Sequence, residues 1–210
     1  MSENLSDNDI PKITQLASSA DRPEGHEPLR YFFFDFLKVF VMAVAIIIPV
    51  RYFLFQPFVV TGDSMRPNFH DGNYLIIDEL TYRIREPERG EVVVMRFPKD
   101  TSQFFIKRIV GLPGEHIVIR DGRVTIYNAD HPEGLILQEE YLPSQNITYG
   151  NIDRKLEKDE FFVLGDNRLS SSDSRVWGIL PKEDIVGRVY LRLFPVQDLE
   201  LFSPSPVYND

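Results

Sequence analysis

One serine in this chain lies in a segment with the backbone features of a nucleophile loop. Ser64 stands in T-G-D-S-M-R-P, residues 61–67, shortly after a long apolar run. Gly62 allows a tight backbone approach beside the hydroxyl, and Pro67 restrains the chain just beyond it. A serine hydroxyl is a weak nucleophile and must lose its proton to a nearby base. If Ser64 is catalytic, another residue must therefore supply that base.

Lys107 is the best candidate for the base. It lies in the apolar segment 104–110, which is predicted to be a strand, where side chains alternate between two faces. Lys107 therefore shares a face with Phe105 and Ile109, whereas Arg108 points the other way. Burial beside apolar neighbours lowers the pKa of a lysine, and a neutral amine can accept a serine proton. The two residues predict acyl transfer by a Ser-Lys pair.

The segment G-D-N-R-L-S-S-S-D-S-R, residues 165–175, could support such a pair. It follows an apolar segment and precedes V-W-G, so it is expected to be held against the core. Hydroxyls and a carboxylate–guanidinium pair in such a place can orient a lysine and stiffen a site.

Histidine is a weaker candidate for the base. His26 lies in the polar amino-terminal region, and the other histidines lie in or beside turn-rich segments: His70, His116 and His131. Ser64 also misses the G-x-S-x-G hydrolase pattern at its second glycine. A Ser-His-Asp enzyme is therefore disfavoured. No spacing of histidines and carboxylates resembles a metal site, and no cofactor is predicted.

Composition narrows the classes of function. The chain has 210 residues, a net charge of −9 and no cysteine. The absence of cysteine excludes disulfides, zinc–thiolate sites and a cysteine nucleophile. The negative net charge gives no indication of a nucleic-acid partner.

An apolar run divides the chain. Residues 1–29 are polar and acidic and are predicted to be a disordered tail. Residues 30–55 are predicted to be a transmembrane helix, since a helix of this length spans a bilayer core of about 30 Å. Asp35 and Lys38 lie one helical turn apart and can pair on one face. The excess of basic residues before the run favours a cytosolic amino terminus. A signal peptide and a buried core helix are the alternatives.

The remainder of the chain is predicted to be β-structure. Short apolar segments separated by Gly, Pro, Asn and Asp run through residues 56–200 without a long amphipathic helix. Asp121-Gly122 between two such segments indicates a hairpin. A small, mostly polar insertion with long loops is predicted at about 120–160, and a C-terminal tail at residues 201–210. The predicted fold class is therefore mainly β, a barrel or sandwich.

Four segments in order resemble the sequence boxes of bacterial type I signal peptidases, also called leader peptidases. They are G-D-S-M-R-P-N-F (62–69), D-G-N-Y-L-I-I-D (71–78), F-I-K-R-I-V-G-L-P-G-E (105–115) and G-D-N-R-L-S-S-S-D-S-R-V-W-G (165–178). The resemblance extends over the apolar run and nearly all of the later chain. It implies a signal-peptidase-like β catalytic domain with one amino-terminal transmembrane helix. It also implies a single-pass protein of the bacterial plasma membrane, with the catalytic domain on the extracytoplasmic side.

The resemblance implies a role for several individual residues. Ser64 falls on the nucleophile of the family, Lys107 on the general base, and Ser171 on a serine that orients the lysine. Three positions fall on structural residues of the last box: Asp166 and the ion pair of Asp173 with Arg175. Four positions fall near the substrate: Val60, Thr61, Gly62 and Ile106.

Two positions depart from some members of that family. Gly62 stands where they carry a serine whose hydroxyl helps to form the oxyanion hole. The hole would then rely on the Ser64 backbone N–H, with its second donor left open. Phe105 stands where some members have a tyrosine, which makes the surroundings of Lys107 more apolar.

The implied activity is removal of amino-terminal signal peptides from exported precursors, cutting after small residues in an A-x-A-like pattern through an acyl-enzyme. The implied partners are these precursors and the lipid bilayer, and a monomer is expected. Two alternatives remain open at this point. One is a self-cleaving repressor-type Ser-Lys protease, which should carry a DNA-binding helix pair. The other is a non-catalytic, membrane-anchored β-domain that binds extended peptides.

Overall fold

The first described element is a long helix. The computed structural model describes residues 27–53, 55–143 and 147–202. Helix α1, Glu27–Phe53, begins before the predicted start at residue 30. Pro28 suits the first helical turn, where its missing N–H needs no partner. Residues 27–29 are thus helical rather than part of a disordered tail, and Phe55 opens a strand instead of closing the helix.

Three predictions concern the two tails and the transmembrane helix. Residues 1–26 and 203–210 carry most of the two predicted tails and lie outside the described residues. Among the described residues, no helix combines the length and the apolar character needed to cross a membrane. The transmembrane span over residues 30–55 therefore stays a prediction.

Short strands make up most of the remaining described chain. In chain order they are β1 (Phe55–Val59), β2 (Tyr74–Asp78), β3 (Val92–Phe97), β4 (Asp100–Gly111), β5 (His116–Arg120), β6 (Arg123–Tyr127), β7 (Leu135–Ile136), β8 (Ile152–Lys155), β9 (Glu160–Leu164), β10 (Leu180–Pro181), β11 (Ile185–Phe194) and β12 (Glu200–Leu201). Two short α-helices, α2 (Thr81–Ile84) and α3 (Ser174–Trp177), and two 3-10 helices, Lys182–Asp184 and Val196–Asp198, connect them. The mainly β fold class is confirmed.

The strands form two antiparallel sheets. The larger sheet has the order β1-β2-β11-β3-β4-β9-β10, with β12 beside β11, and the smaller has the order β7-β6-β5-β8. The β5–β6 hairpin turns at Asp121 and Gly122, whose φ angles of 53° and 78° are both positive, as a type I′ turn requires. The predicted insertion at about 120–160 therefore contributes strands β6, β7 and β8 to the smaller sheet, which starts earlier, at His116, and the remainder of this region consists largely of loops among the described residues. The two edge strands of this sheet, β7 and β8, were not predicted from the sequence, because β7 has only two residues and β8 is mostly polar.

Strand β4 carries two basic residues into the core. It lies between β3 and β9 in the larger sheet, and its second half is buried. Lys107 pairs with Val93 of β3, and Arg108 pairs with Leu164 of β9. A charged side chain in an apolar interior must find a partner or lose its charge. The fold therefore imposes a strong electrostatic constraint at these two positions.

A buried ion pair links the loops of the two sheets. The side chain of Arg168, after β9, is fully buried, and its Nη2 lies 2.5 Å from Oε1 of Glu139, after β7. The same guanidinium donates to the backbone oxygen of Gly165 at 3.1 Å and to the hydroxyl of Thr148. These bonds fix the segment that follows β9 against the insertion.

We expect Glu139→Ala to lower the free energy of unfolding by about 3 kcal/mol, because it leaves a buried guanidinium without its carboxylate. Denaturant unfolding of the purified full chain measures the change. The matched control is Glu133→Ala, which removes an exposed carboxylate from the same stretch and should change the free energy by less than about 0.5 kcal/mol. Equal effects of the two substitutions would contradict a structural role for the Arg168 pair.

Candidate active site

Ser64 lies on the loop that joins β1 to β2. The base of this loop is closed by a backbone hydrogen bond from Val60 N to Asn73 O of 2.9 Å. Gly62 has a φ of 88°, a left-handed conformation that favours glycine, and its N–H donates to Asp71 Oδ1 at 2.8 Å. The glycine beside Ser64 is thus required by the backbone, as the sequence suggested.

The structure brings Lys107 and Ser64 together. Lys107 Nζ donates to Ser64 Oγ at 2.9 Å and to the backbone oxygen of Ile106 at 2.8 Å. Lys107 is only 3% exposed, although it belongs to a residue type that is almost never fully buried. The distance between the two side-chain atoms suits direct proton transfer.

Burial decides the charge of Lys107. Removal of the ammonium from water lowers the pKa of Lys107 from 10.5 to about 8, although the carboxylates of Asp173 and Asp166 act in the opposite direction. The ring centroid of Phe105 lies 5.3 Å from Nζ, which adds an apolar neighbour. With this pKa, about a tenth of the amine is neutral at pH 7. That fraction is large enough for a base that acts near neutral pH.

Ser171 is half-buried, and its buried hydroxyl lies close to the Ser64 loop without the predicted bond to the lysine. Among the described residues, Ser171 Oγ has no hydrogen-bond partner. Gly165 separates it from the nucleophile loop: a Cβ at this glycine would lie 2.1 Å from Ser171 Oγ and 2.4 Å from the backbone oxygen of Ser64. The position is close to the site, and the lysine-orienting role of Ser171 stays a prediction.

A buried ion pair shapes the segment that contains Ser171. Asp173 is fully buried, and its two carboxylate oxygens accept hydrogen bonds from Arg175 Nε and Nη2, both at 2.8 Å. Asp173 Oδ2 also accepts a bond from Gly165 N at 3.1 Å. At the start of α3, the Asp173 side chain caps the helix by accepting from Arg175 N. The ion pair that the resemblance implied is therefore present in the structure.

Asp166 is paired with Arg108, a partner that sequence reasoning missed. Arg108 Nε and Nη2 donate to Asp166 Oδ1 and Oδ2 at 2.8 and 2.6 Å, a bidentate arrangement. Asn68 of the nucleophile loop donates to the same carboxylate at 2.8 Å. Strand alternation was the signal that could have predicted such a pair. It places Arg108 on the opposite face from Lys107, and a guanidinium that is buried there needs a carboxylate partner.

A cleft of about 390 Å³ adjoins the two reactive side chains. Three of the four predicted substrate-binding residues are in its lining: Val60, Thr61 and Ile106. The fourth, Gly62, is not among the described residues that line the cleft. The lining contains seven further residues that the sequence did not indicate as substrate-binding: Phe58, Val59, Leu75, Val94, Phe104, Phe105 and Ser172. The cleft therefore combines apolar walls with a reactive polar end, as binding sites for organic ligands commonly do.

The chain is similar to signal peptidases over most of its length. A model of the family described as signal peptidase, peptidase S26, matches residues 33–194. A signal peptidase I of Leptolyngbya laminosa is 31% identical over 97% of this chain and 98% of its own length. A probable signal peptidase I-2 of Synechocystis sp. is 36% identical over 79% of this chain and 75% of its own. A signal peptidase I of Bacillus amyloliquefaciens is 34% identical over 80% and 88%, respectively.

The family match contains both members of the reactive pair. It covers Ser64 and Lys107, the cleft beside them, and every described strand except β12. By these matches the chain belongs to the signal peptidase family, peptidase S26, and is a serine endopeptidase.

Proposed function

We propose that this enzyme cuts signal peptides from exported precursor proteins with Ser64 as nucleophile and Lys107 as general base. The observation that carries this assignment is the 2.9 Å contact between Lys107 Nζ and Ser64 Oγ, with the amine almost fully buried. A buried lysine is partly neutral at working pH and can activate the hydroxyl beside it.

Acylation begins when Ser64 Oγ gives its proton to neutral Lys107 Nζ. The serine oxygen forms a bond to the carbonyl carbon of the scissile peptide, and negative charge develops on the carbonyl oxygen. The ammonium of Lys107 then returns the proton to the leaving amine as the C–N bond breaks. The mature protein departs with that amine, and the signal peptide remains as an ester on Ser64.

Deacylation uses the same lysine on water. Lys107 accepts a proton from a water molecule, the hydroxide attacks the ester carbonyl, and the proton passes to Ser64 Oγ as the C–O bond breaks. In both steps the Ser64 backbone N–H is the proposed oxyanion donor, and one preorganised donor of this kind contributes about 3 kcal/mol. Gly62 carries no hydroxyl that could add to it.

The substrate is an extended segment with small residues before the cut, in an A-x-A-like pattern. Val60, Thr61 and Ile106 wall the cleft, and the rings of Phe58 and Phe104 lie 5.6 Å apart along it. Apolar walls suit the small apolar side chains of that pattern. Strand β1 is at one end of the sheet order, so its edge can accept the peptide as an added strand.

We also propose that α1 anchors the enzyme once in the bacterial plasma membrane, with the catalytic domain on the extracytoplasmic side. A helix of 27 residues is about 40 Å long, more than the hydrocarbon core of a bilayer. Large apolar side chains of α1 are exposed, among them Phe32, Phe36, Phe40 and Ile47. An apolar surface of this extent is better accommodated by lipid than by water.

Ser64→Ala and Lys107→Met should each lower kcat by more than about 1,000-fold, since the first removes the nucleophile and the second its base. Cleavage of a precursor by the full chain, with the cut position determined by mass, measures this. The control is Lys99→Met, which changes an exposed lysine in the turn before β4 and should leave kcat unchanged. Activity of Lys107→Met within tenfold of wild type would remove the lysine from the mechanism.

The pH dependence follows from the lowered pKa of Lys107. The base acts only when neutral, so kcat/KM should rise with pH and level off above about 8, where burial places the pKa of Lys107. Well below that pH, the rate should increase about tenfold per pH unit. A profile from about pH 5 to about pH 10, with a peptide that does not titrate near the cut, tests this. A flat profile, or one that falls as pH rises, would be incompatible with a lysine base.

The membrane assignment predicts that the full chain stays in the membrane pellet after an alkaline carbonate wash. Such a wash disrupts electrostatic contacts with the membrane surface, whereas an inserted apolar helix remains in the bilayer. Protease added outside intact spheroplasts should then remove the catalytic domain. Release of the chain into the wash would contradict insertion, and protection of the domain from outside protease would contradict its orientation.

A further inference from the structure

A segment beyond the family match packs near the loop that carries Ser64. After β11, the chain turns through the 3-10 helix Val196–Asp198 and returns as β12, which pairs with β11. Phe202 N then donates to Tyr190 O at 2.9 Å and fixes the end of this segment. Residues 195–202 are named here the C-terminal return segment. The family match ends at residue 194, so the segment lies outside it.

Phe202 covers the residue that anchors the nucleophile loop. Its ring stacks on that of Phe69, with centroids 5.1 Å apart and an interplanar angle of 25°. Phe69 is fully buried in the core cluster that also contains Val60 and Met65, the neighbours of Ser64 on this loop. Phe69 N donates to Met65 O at 2.9 Å. Movement of the Phe69 ring would therefore displace Met65, which directly follows Ser64 in the chain.

Arg192 joins the return segment to the same loop. Its Nη1 donates to the backbone oxygen of Asn68 at 2.6 Å, and its Nε donates to Asp198 O at 2.7 Å. Its Nη2 lies 2.5 Å from Glu200 Oε2. Two groups of the return segment thus hold a guanidinium that binds the loop. The Arg192 side chain is only 11% exposed, and a charge-assisted bond shielded from water is well defined in geometry.

The Arg192 guanidinium contacts both rings. The Arg192 guanidinium carbon lies 5.6 Å from the centroid of Phe69 and 5.7 Å from that of Phe202. Cation–π contacts at this distance favour a fixed orientation of the charged group. Asn68, whose carbonyl Arg192 holds, donates through its side chain to Asp166 Oδ2 at 2.8 Å. The loop is therefore held on one side by Arg192 and on the other by the carboxylate that binds Arg108.

We propose that Arg192 and Phe202 are positioning residues for Ser64, and that the C-terminal return segment is a functional support of the active site. They touch neither substrate nor reacting atoms. They act through Asn68 and Phe69, which set the position of the loop and therefore of the serine oxygen relative to Lys107. The proposal rests on the proposed function. A displacement of about 1 Å at a reacting group can cost about 100-fold in rate, so such supports matter for kcat.

The test compares three full-chain variants in cleavage of a signal-peptide-bearing precursor: Phe202→Ala, Arg192→Met and Phe202→Tyr. The first two should lower kcat by about 10-fold or more and leave KM within about twofold, because the cleft itself is unchanged. Phe202→Tyr keeps the stacked ring and should restore kcat to within about twofold of wild type. The midpoint of the pH profile should stay unchanged in all three, because the burial of Lys107 is not altered.

The matched control is Leu201→Ala, which shortens an exposed side chain of β12 and should leave kcat unchanged. Rates are measured where circular dichroism shows each variant to be folded. If Phe202→Ala does not fold, Phe202→Leu decides, with an expected loss of kcat of about threefold. Variants with lowered melting temperature but with the kcat of the Leu201→Ala control would overturn the proposal and leave the proposed function standing. A wild-type chain that does not cut the precursor would overturn both.

Discussion

A buried amine that must be able to lose its charge is the constraint on which this structure depends. Lys107 lies in the middle of the larger sheet, where an ammonium ion is destabilised by several kcal/mol relative to water. That penalty lowers the pKa of Lys107 to about 8, which suits the role of base proposed for this side chain. Water admitted to the site would stabilise the ammonium and remove the base. The proposed chemistry at Ser64 thus requires tight core packing around β4, because this packing excludes water from Lys107.

The carboxylates near Lys107 are bound by arginines, and this pairing helps to keep the pKa of Lys107 low. Asp166 is held by Arg108, and Asp173 by Arg175, each through two hydrogen bonds. A carboxylate without such a partner would stabilise the ammonium more strongly and raise the pKa of Lys107. Both carboxylates still act in that direction, but burial outweighs them. The acidic side chains can therefore organise the backbone around the site while the lysine keeps its lowered pKa.

The sequence was sufficient to propose a reactive pair and to predict the strand that carries Lys107, and insufficient for contacts between distant segments. Residue types and strand alternation singled out Ser64 and Lys107, whose side chains lie 2.9 Å apart, and the strand predicted over residues 104–110 lies within β4. The pairing of Arg108 with Asp166 depends on β9 lying beside β4, which no local pattern specifies. Strands β7 and β8 form because they pair with β6 and β5, respectively, and their own residue patterns do not indicate strands. The stacking of Phe202 on Phe69 was missed for the same reason, because residues after 200 read as a tail.

The most direct measurement of this account is the titration of the Lys107 side chain itself. Full-length Ser64→Ala, with its lysines labelled with carbon-13 at Cε, can be titrated by nuclear magnetic resonance, and the Lys107→Met variant identifies the resonance. The account predicts a midpoint near 8, well below the ordinary lysine pKa of 10.5. A midpoint at the ordinary value would show that the amine is charged throughout the working range, and it would contradict the account.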